Sequence, residues 1–286
     1  MPKASGTSSK SGSADSVHAL ALTSTIRDQL AGNMSAGELK LTTELIETKV
    51  QLLNDIRAEG WTLIQNLEAT DKSLLSLMSL LGVPVADKNE GRFVMDLKPD
   101  PKSEAEATTS YYSWNRFDFH TDLSFTLVAP RLIAVACVQS DLERRGLTVL
   151  SDSRMALSAL QVEEICELEK PQFIFTPPTH YRASGPVMKP ILIRNQHGSW
   201  NISVRFDKVE SKSDRALQAL RKLRDALDEN AESFLLRRDE AYLVDNWRIV
   251  HGRTEFSPRF DGTDRHLKRI YGDLTEGEAF ETSIPG

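Results

Sequence analysis

The segment Phe117–Asp122 carries two side chains suited to metal chemistry. It reads FDFHTD, so His120 and Asp122 are two residues apart. In an extended segment, side chains at this spacing point to the same face, where an imidazole and a carboxylate can bind one ion. A second histidine, His251, follows at a predicted junction between a strand and a turn. Two imidazoles and one carboxylate form the facial triad of non-haem Fe(II) enzymes, which leaves coordination positions open for other ligands.

Two arginines follow the second histidine. Arg265 lies fourteen residues after His251, and Arg269 lies four residues further on. In a strand, residues four apart share one face, so both guanidiniums would leave the same β surface. Guanidinium groups are always charged and bind carboxylates through two parallel hydrogen bonds. This pair therefore predicts a carboxylate clamp near the metal.

The same residue types allow other interpretations. Two histidines, one aspartate and a water molecule also describe a catalytic zinc site, which would make the protein a metal-assisted hydrolase. The hydrolase hypothesis gives no role to Arg265. A hypothesis from another class is a non-catalytic β-sandwich that binds a small acid as a sensor or scaffold, and it predicts ligand binding without oxygen consumption.

The remaining sequence predicts the elements that would position these residues. Apolar spacing and end signals predict helices over Glu38–Arg57, Asp71–Leu81 and Asp214–Leu227. In the first, the apolar residues Ile46, Val50 and Leu53 recur at helical spacing, and the stripe is widened by Leu45, Leu52 and Ile56. After residue 90 the chain consists mostly of short β-branched or aromatic runs separated by turn residues. This pattern favours a mainly β fold with flanking helices, arranged as a sandwich or barrel rather than a parallel α/β sheet.

Length and composition narrow the class of protein. The chain has 286 residues, and its first sixteen lack large apolar side chains, so we expect a disordered tail over 1–16 and a single domain over 17–286. A net charge of −6 argues against nucleic acid as a partner. No apolar run is long enough for a membrane span. The two cysteines predict no disulfide framework, which favours a cytoplasmic location.

The motifs together resemble a known family. They are similar to those of the Fe(II)/2-oxoglutarate oxygenases of the taurine dioxygenase (TauD/TfdA) superfamily, nearest to clavaminate synthase and the arginine and asparagine hydroxylases. The resemblance covers roughly residues 60–275. The matching runs are His120-Thr121-Asp122-Leu123-Ser124-Phe125, Pro130–Cys137, Asp141–Arg144, Thr148, Val244-Asp245-Asn246, His251-Gly252-Arg253, Phe256, Arg259, Asp261-Gly262, Asp264-Arg265, Leu267 and Arg269.

The resemblance implies a fold, a chemistry and a set of roles. The family fold is a double-stranded β-helix, or jelly roll. Fe(II) would be bound by a histidine–aspartate–histidine triad, and 2-oxoglutarate and O₂ would be co-substrates. In this chain the implied iron ligands are His120, Asp122 and His251. Arg265, helped by Thr148, would bind the distal carboxylate of 2-oxoglutarate, and Arg269 would face the substrate.

Position 122 carries information about the reaction. Several relatives have glutamate at the equivalent of Asp122, whereas the wider superfamily has aspartate. Halogenases of the superfamily typically lack this carboxylate, so the resemblance implies hydroxylation, with desaturation or cyclisation as alternatives. The expected substrate is an amino acid or an amino-acid-derived small molecule. Asn115, Arg116 and Tyr112, in the polar loop before the metal motif, are candidate substrate-binding residues.

Overall fold

The protein is mainly β-structure with helices packed outside the sheets. The computed structural model describes residues 18–32, 42–101, 112–178, 181, 185–195 and 198–275, so the tail predicted over 1–16 lies outside the described residues. The helices are α1 (Ser24–Ala31), α2 (Thr43–Glu59), α3 (Asp71–Leu81), α4 (Ser153–Ser158), α5 (Val162–Leu168) and α6 (Asp214–Glu229). The strands are β1 (Ala19–Ala21), β2 (Trp61–Gln65), β3 (Val83–Val85), β4 (Val94–Leu97), β5 (Phe117–His120), β6 (Leu132–Gln139), β7 (Thr148–Asp152), β8 (Phe173–Phe175), β9 (Val187–Lys189), β10 (Leu192–Arg194), β11 (Trp200–Ile202), β12 (Val209–Ser211), β13 (Glu232–Phe234), β14 (Glu240–Asp245), β15 (Ile249–Arg253) and β16 (His266–Asp273).

Two sheets form the core of the fold. The larger has seven strands in the order β1-β2-β14-β6-β16-β3, with β4 also paired to β16. The smaller has four strands in the order β13-β7-β15-β5. Side chains from both sheets share one apolar cluster, so the two sheets face each other as in a jelly roll. The predicted fold class is therefore confirmed.

Strand β6 shows how the large sheet is buried on both faces. Leu132, Ala134 and Ala136 pack with the helical layer of α1, α2 and α3. Ile133, Val135 and Cys137 alternate with them and face the smaller sheet. Because successive side chains of a strand point to opposite faces, a strand buried on both sides reads as one continuous apolar run.

The smaller sheet has a second cover of its own. On β15, Ile249 belongs to the cluster between the two sheets, whereas Val250 packs in the cluster that contains Leu223 and Leu227 of α6. Two short sheets, β12-β8-β9 and β10-β11, contribute side chains to this same apolar cluster. None of the helices in the described ranges is long and apolar enough to cross a membrane.

The sequence predicted α3 with its observed bounds, and it missed α1, α4 and α5, which are short. The predicted start of α2 at Glu38 lies outside the described residues. Two residues of the predicted apolar stripe, Ile46 and Val50, are each about half exposed, at 46% and 51%. The buried apolar face of α2 is the part of the predicted stripe formed by Leu45, Leu52 and Ile56. Periodicity locates an apolar stripe, but the neighbouring sheet decides which edge of the stripe is covered.

Candidate metal centre

Strands β5 and β15 bring the two predicted histidines together. They pair antiparallel with His251 opposite His120, and the ring centroids are 4.3 Å apart. A Cβ atom at Gly252 would lie 2.8 Å from the carbonyl oxygen of Phe117, so only glycine permits this close approach of the strands. Asp122 follows β5 in a turn and turns its carboxylate back toward both rings.

The three predicted ligands converge on one point. The Asp122 Oδ1 atom lies 3.5 Å from His120 Nε2 and 3.6 Å from His251 Nε2. All three side chains are buried, and their ligand atoms lie within 4.8 Å of one another. Imidazole nitrogen and carboxylate oxygen are the donors that Fe(II) enzymes of the facial-triad type use. The donor set and its spacing therefore fit one divalent cation.

The protonation state of His120 suits a metal ligand. Burial, and then the neighbouring charge of His251, lowers the pKa of His120 to about 4. Its Nδ1 lies 2.8 Å from the carbonyl oxygen of Asp118, an acceptor, so Nδ1 carries the proton and donates it. The Nε2 lone pair is then directed at the metal position, as is usual for metal-binding histidines.

The two oxygen atoms of the Asp122 carboxylate have different partners. Its Oδ2 atom accepts a hydrogen bond from Arg269 Nη1 at 2.9 Å and another from the Tyr271 hydroxyl at 3.1 Å. Burial alone raises the pKa of Asp122, but the Arg269 charge, together with the hydrogen bonds and charge of the neighbouring histidines, outweighs burial and holds that pKa well below its usual range. The carboxylate is therefore ionised, and Oδ1 is the oxygen that faces the two imidazoles and would bind a metal ion. One-oxygen binding leaves more of the coordination sphere open.

Asn246 holds the backbone of Asp122 in place. The Asp122 N–H donates to Asn246 Oδ1 at 2.8 Å, and Asn246 Nδ2 donates to the Asp122 carbonyl at 3.1 Å and to the Pro130 carbonyl at 2.9 Å. The side chain is fully buried between β14 and β15. These three hydrogen bonds fix the turn that aims the carboxylate.

A positively charged cavity of about 480 Å³ opens beside the triad. Its charged lining consists of Arg253, Arg265, Arg269 and a single carboxylate, Asp122. Thr148, on β7, lines this cavity as well. Arg265 and Thr148, the two residues predicted to bind the distal carboxylate, therefore lie in one cavity. Such a cavity favours an anionic ligand.

A second cavity of about 370 Å³ meets the first at the metal position. Both cavities are lined by His120, Asp122 and Arg269. The second cavity adds a negative group, Asp87, a positive group, Arg205, and the hydroxyl of Tyr181. His120 and Asp122 therefore stand between a positively charged cavity and a cavity of mixed charge.

The three candidate substrate residues of the polar loop lie elsewhere. None of them lines either cavity. The Tyr112 hydroxyl donates to Glu90 at 3.1 Å, the Arg116 guanidinium lies 3.5 Å from Asp228, and Asn115 is exposed. Their predicted contact with substrate stays a prediction.

Sequence reasoning missed two residues that hold Asp122. Tyr271 lies two residues after Arg269 on β16 and so shares its face, a signal that the sequence contains. Asn246 precedes His251 by five residues, but nothing in the sequence indicates that it binds the backbone beyond β5.

We expect Asn246→Ala to weaken divalent metal binding by about 10- to 100-fold, because outer-shell partners of metal ligands contribute on that scale. Titration of the purified protein with Fe(II) or Mn(II) measures the affinity. Asn230→Ala is the matched control, since Asn230 Nδ2 donates to the carbonyl of Ala226 at the end of α6. Equal metal affinity in the two variants would contradict the role of Asn246.

We expect Tyr271→Phe to weaken metal binding by about tenfold, because Asp122 Oδ2 then keeps Arg269 but loses one donor. The protein without added small molecules is titrated with metal. Tyr242→Phe is the control, since Tyr242 is a buried tyrosine that lines the first cavity with Asp122, and the hydrogen bond to Asp122 Oδ2 comes from Tyr271. If both variants bind metal equally well, the hydroxyl of Tyr271 has no part in orienting the carboxylate.

Solved structures of oxygenases share this fold. The structure of asparagine oxygenase with Fe(II), 3-hydroxyasparagine and succinate aligns with a TM-score of 0.75 and 24% identity, over 90% of this chain and 94% of that one. The non-haem iron oxygenase OrfP with Fe, succinate and (3S)-hydroxy-L-Arg aligns with a TM-score of 0.75 and 18% identity, over 90% and 94% of the two chains.

Sequence relatives point the same way. L-asparagine oxygenase of Streptomyces coelicolor is 31% identical over 191 residues, which are 66% of this chain and 56% of that protein. Clavaminate synthase 2 of Streptomyces clavuligerus is 30% identical over 202 residues, covering 66% and 60%. The chain thus matches little more than half the length of these curated relatives. The family described as taurine catabolism dioxygenase TauD, TfdA matches residues 27–271. With most of its length matched, this chain belongs to the TauD/TfdA family.

Proposed function

We propose that the protein is an Fe(II)- and 2-oxoglutarate-dependent oxygenase. It oxidises a C–H bond of an amino acid or an amino-acid-derived small molecule by hydroxylation, while 2-oxoglutarate is decarboxylated to succinate and O₂ is consumed. The observation that carries this proposal is the buried triad of His120, Asp122 and His251 beside a cavity lined by three arginines. Membership of the TauD/TfdA family agrees with it.

The triad residues would hold the iron. His120 and His251 contribute Nε2, and Asp122 contributes Oδ1. Bound Fe(II) supplies the one-electron and oxygen chemistry that amino acid side chains cannot perform. The protein keeps His120 neutral, keeps Asp122 ionised, and restricts that carboxylate to one coordinating oxygen. Burial of all three ligands excludes bulk water from the reacting atoms.

The positively charged cavity would bind 2-oxoglutarate. We assign its distal carboxylate to Arg265 and the hydroxyl of Thr148, both of which line that cavity with the triad. Arg265 is 9% exposed, and none of the described residues forms a hydrogen bond or an ion pair with its side chain. A buried guanidinium without a protein partner is costly, so a carboxylate ligand would stabilise it.

The cavity of mixed charge would bind the substrate. An α-amino acid carries one positive and one negative group, and this cavity offers Arg269 and Arg205 together with the buried carboxylate of Asp87. Two relatives are named for the oxidation of amino acids: L-asparagine oxygenase and the L-lysine 3-hydroxylase of Catenulispora acidiphila. Arg269 lines both cavities, which supports its proposed contact with a substrate carboxylate.

Two further proposals concern the whole chain. We propose that residues 17–286 form one domain, which is supported by the pairing of β1, near one end of the chain, into the same sheet as β16, near the other. We also propose a cytoplasmic location. Cys166 is an exposed free thiol, which is typical of a reducing compartment.

Anaerobic addition of 2-oxoglutarate to the Fe(II)-loaded protein is expected to produce a weak visible charge-transfer band. The band should be lost in Arg265→Ala and kept in Arg238→Ala, whose side chain is exposed and lines neither cavity. His120→Ala should lose Fe(II) binding itself. A wild-type protein that binds Fe(II) and shows no band would contradict the co-substrate assignment.

Turnover tests the substrate class. The loaded enzyme with O₂ and 2-oxoglutarate is expected to form succinate in stoichiometric proportion to an oxidised product from at least one member of a panel of amino acids and their simple derivatives. Mass spectrometry identifies hydroxylation by the gain of one oxygen atom and desaturation or cyclisation by the loss of two hydrogens. Succinate formation unchanged by every member of the panel would exclude amino acids as the substrate class.

A further inference from the structure

Arg253 is a buried arginine for which neither the family resemblance nor the triad provides a role. It lies on β15 two residues after His251, so both side chains face the cavity. On the neighbouring strand β7 its cross-strand partner is Thr148. Its side chain is 7% exposed, its Nη2 donates to the Asn115 carbonyl at 2.5 Å, and its buried Nε has no hydrogen-bond partner among the described residues.

The buried arginines of the described chain fall into two groups. Three of them are paired with a carboxylate: Arg205 with Asp207 at 3.0 Å, Arg248 with Asp152 at 2.5 Å and Arg269 with Asp122 at 2.9 Å. The other two are Arg253 and Arg265, and no described residue forms an ion pair with either. Both of these line the same cavity.

The two arginines are both buried in the same cavity, with 7% of Arg253 and 9% of Arg265 exposed. Two desolvated positive charges side by side destabilise the protein unless an anion compensates them. A ligand carboxylate beside both guanidiniums would turn this repulsion into two charge-assisted interactions.

Packing keeps both arginine side chains in place. The Arg253 guanidinium lies 5.0 Å from the centroid of the Phe256 ring. Gly146 has φ +65°, and a Cβ atom there would lie 3.1 Å from Arg265 Cδ and 3.3 Å from the same Phe256 ring. Glycine at 146 therefore leaves room for both the Arg265 stem and the Phe256 ring beside its backbone, and the same ring lies next to the Arg253 guanidinium.

On the basis of the proposed function, we propose that Arg253 is a second guanidinium for the distal carboxylate of the co-substrate, alongside Arg265. Its role is to select a 2-oxo acid with two carboxylates over one with a single carboxylate. The orphaned Nε, the shared cavity and the position of Arg253 opposite Thr148 place this charge on the same wall as the residues already assigned to that carboxylate.

The test compares two ligands on two proteins. Calorimetric titration under anaerobic conditions measures the affinity of the Fe(II)-loaded protein for 2-oxoglutarate and for 2-oxopentanoate, which has the same carbon chain without the distal carboxylate. Arg253→Met keeps an apolar stem over Phe256 and removes the charge. We expect it to weaken 2-oxoglutarate binding by about tenfold or more and 2-oxopentanoate binding by less than about twofold.

Other variants complete the comparison. Arg265→Met should show the same ligand-dependent loss, and Arg253→Lys, which keeps the charge but not the planar fork, should fall between wild type and Arg253→Met. Should Arg253→Met fail to fold, the test uses Arg253→Lys and the same ratio, that of the affinities for 2-oxoglutarate and 2-oxopentanoate. Arg238→Met, at an exposed position, should leave both affinities unchanged.

Each outcome bears on a different claim. If Arg253 only supports the loop at Asn115, its replacement will weaken both ligands equally or lower the Fe(II) affinity, and the assignment is then wrong while the proposed function stands. If wild-type protein loaded with Fe(II) binds neither acid, the proposed function fails and this assignment fails with it. A loss confined to the ligand with two carboxylates supports both.

Discussion

The buried ion pair between Asp122 and Arg269 connects the two halves of the sandwich at its functional centre. Asp122 follows β5 of the smaller sheet, whereas Arg269 and Tyr271 extend from β16 of the larger one. One carboxylate oxygen accepts both of their hydrogen bonds, and the other lies beside the two histidines. The face-to-face packing of the sheets and the orientation of the Asp122 carboxylate therefore depend on each other. A buried pair of this kind contributes mainly geometric specificity, because desolvation offsets much of its attraction.

Charge distribution around the triad explains why the two cavities differ. Asp122 compensates Arg269, so that pair adds little net charge to either cavity. Arg253 and Arg265 lack such a partner among the described residues and leave the first cavity positive. In the second cavity Arg205 is already paired with Asp207, and Asp87 adds a negative charge. A dianionic co-substrate and a zwitterionic substrate would thus be directed to opposite sides of one metal by the local balance of charge.

Much of the candidate site was predictable because it depends on short-range geometry. The His120–Asp122 spacing and the shared face of Arg265 and Arg269 are properties of extended backbone, and the structure places all four side chains around one cavity. The same argument, applied two residues further along β15 and β16, would have identified Arg253 and Tyr271. The position of Asn246 was not predictable in this way, because its partner Asp122 is distant in sequence and is reached only through the fold.

The sequence by itself determined the kinds of element and the donor types of the metal centre, because strand alternation, helix periodicity and side-chain chemistry act over a few residues. It predicted α3 with its observed bounds and the three ligands that converge. Only the tertiary structure decided which strands pair, that His251 stands opposite His120, and that Arg269 contacts the Asp122 carboxylate. It also decided that Ile46 and Val50 stay half exposed while Leu45 is buried. These outcomes depend on contacts between distant segments, whose free energies are set by packing and charge compensation in three dimensions.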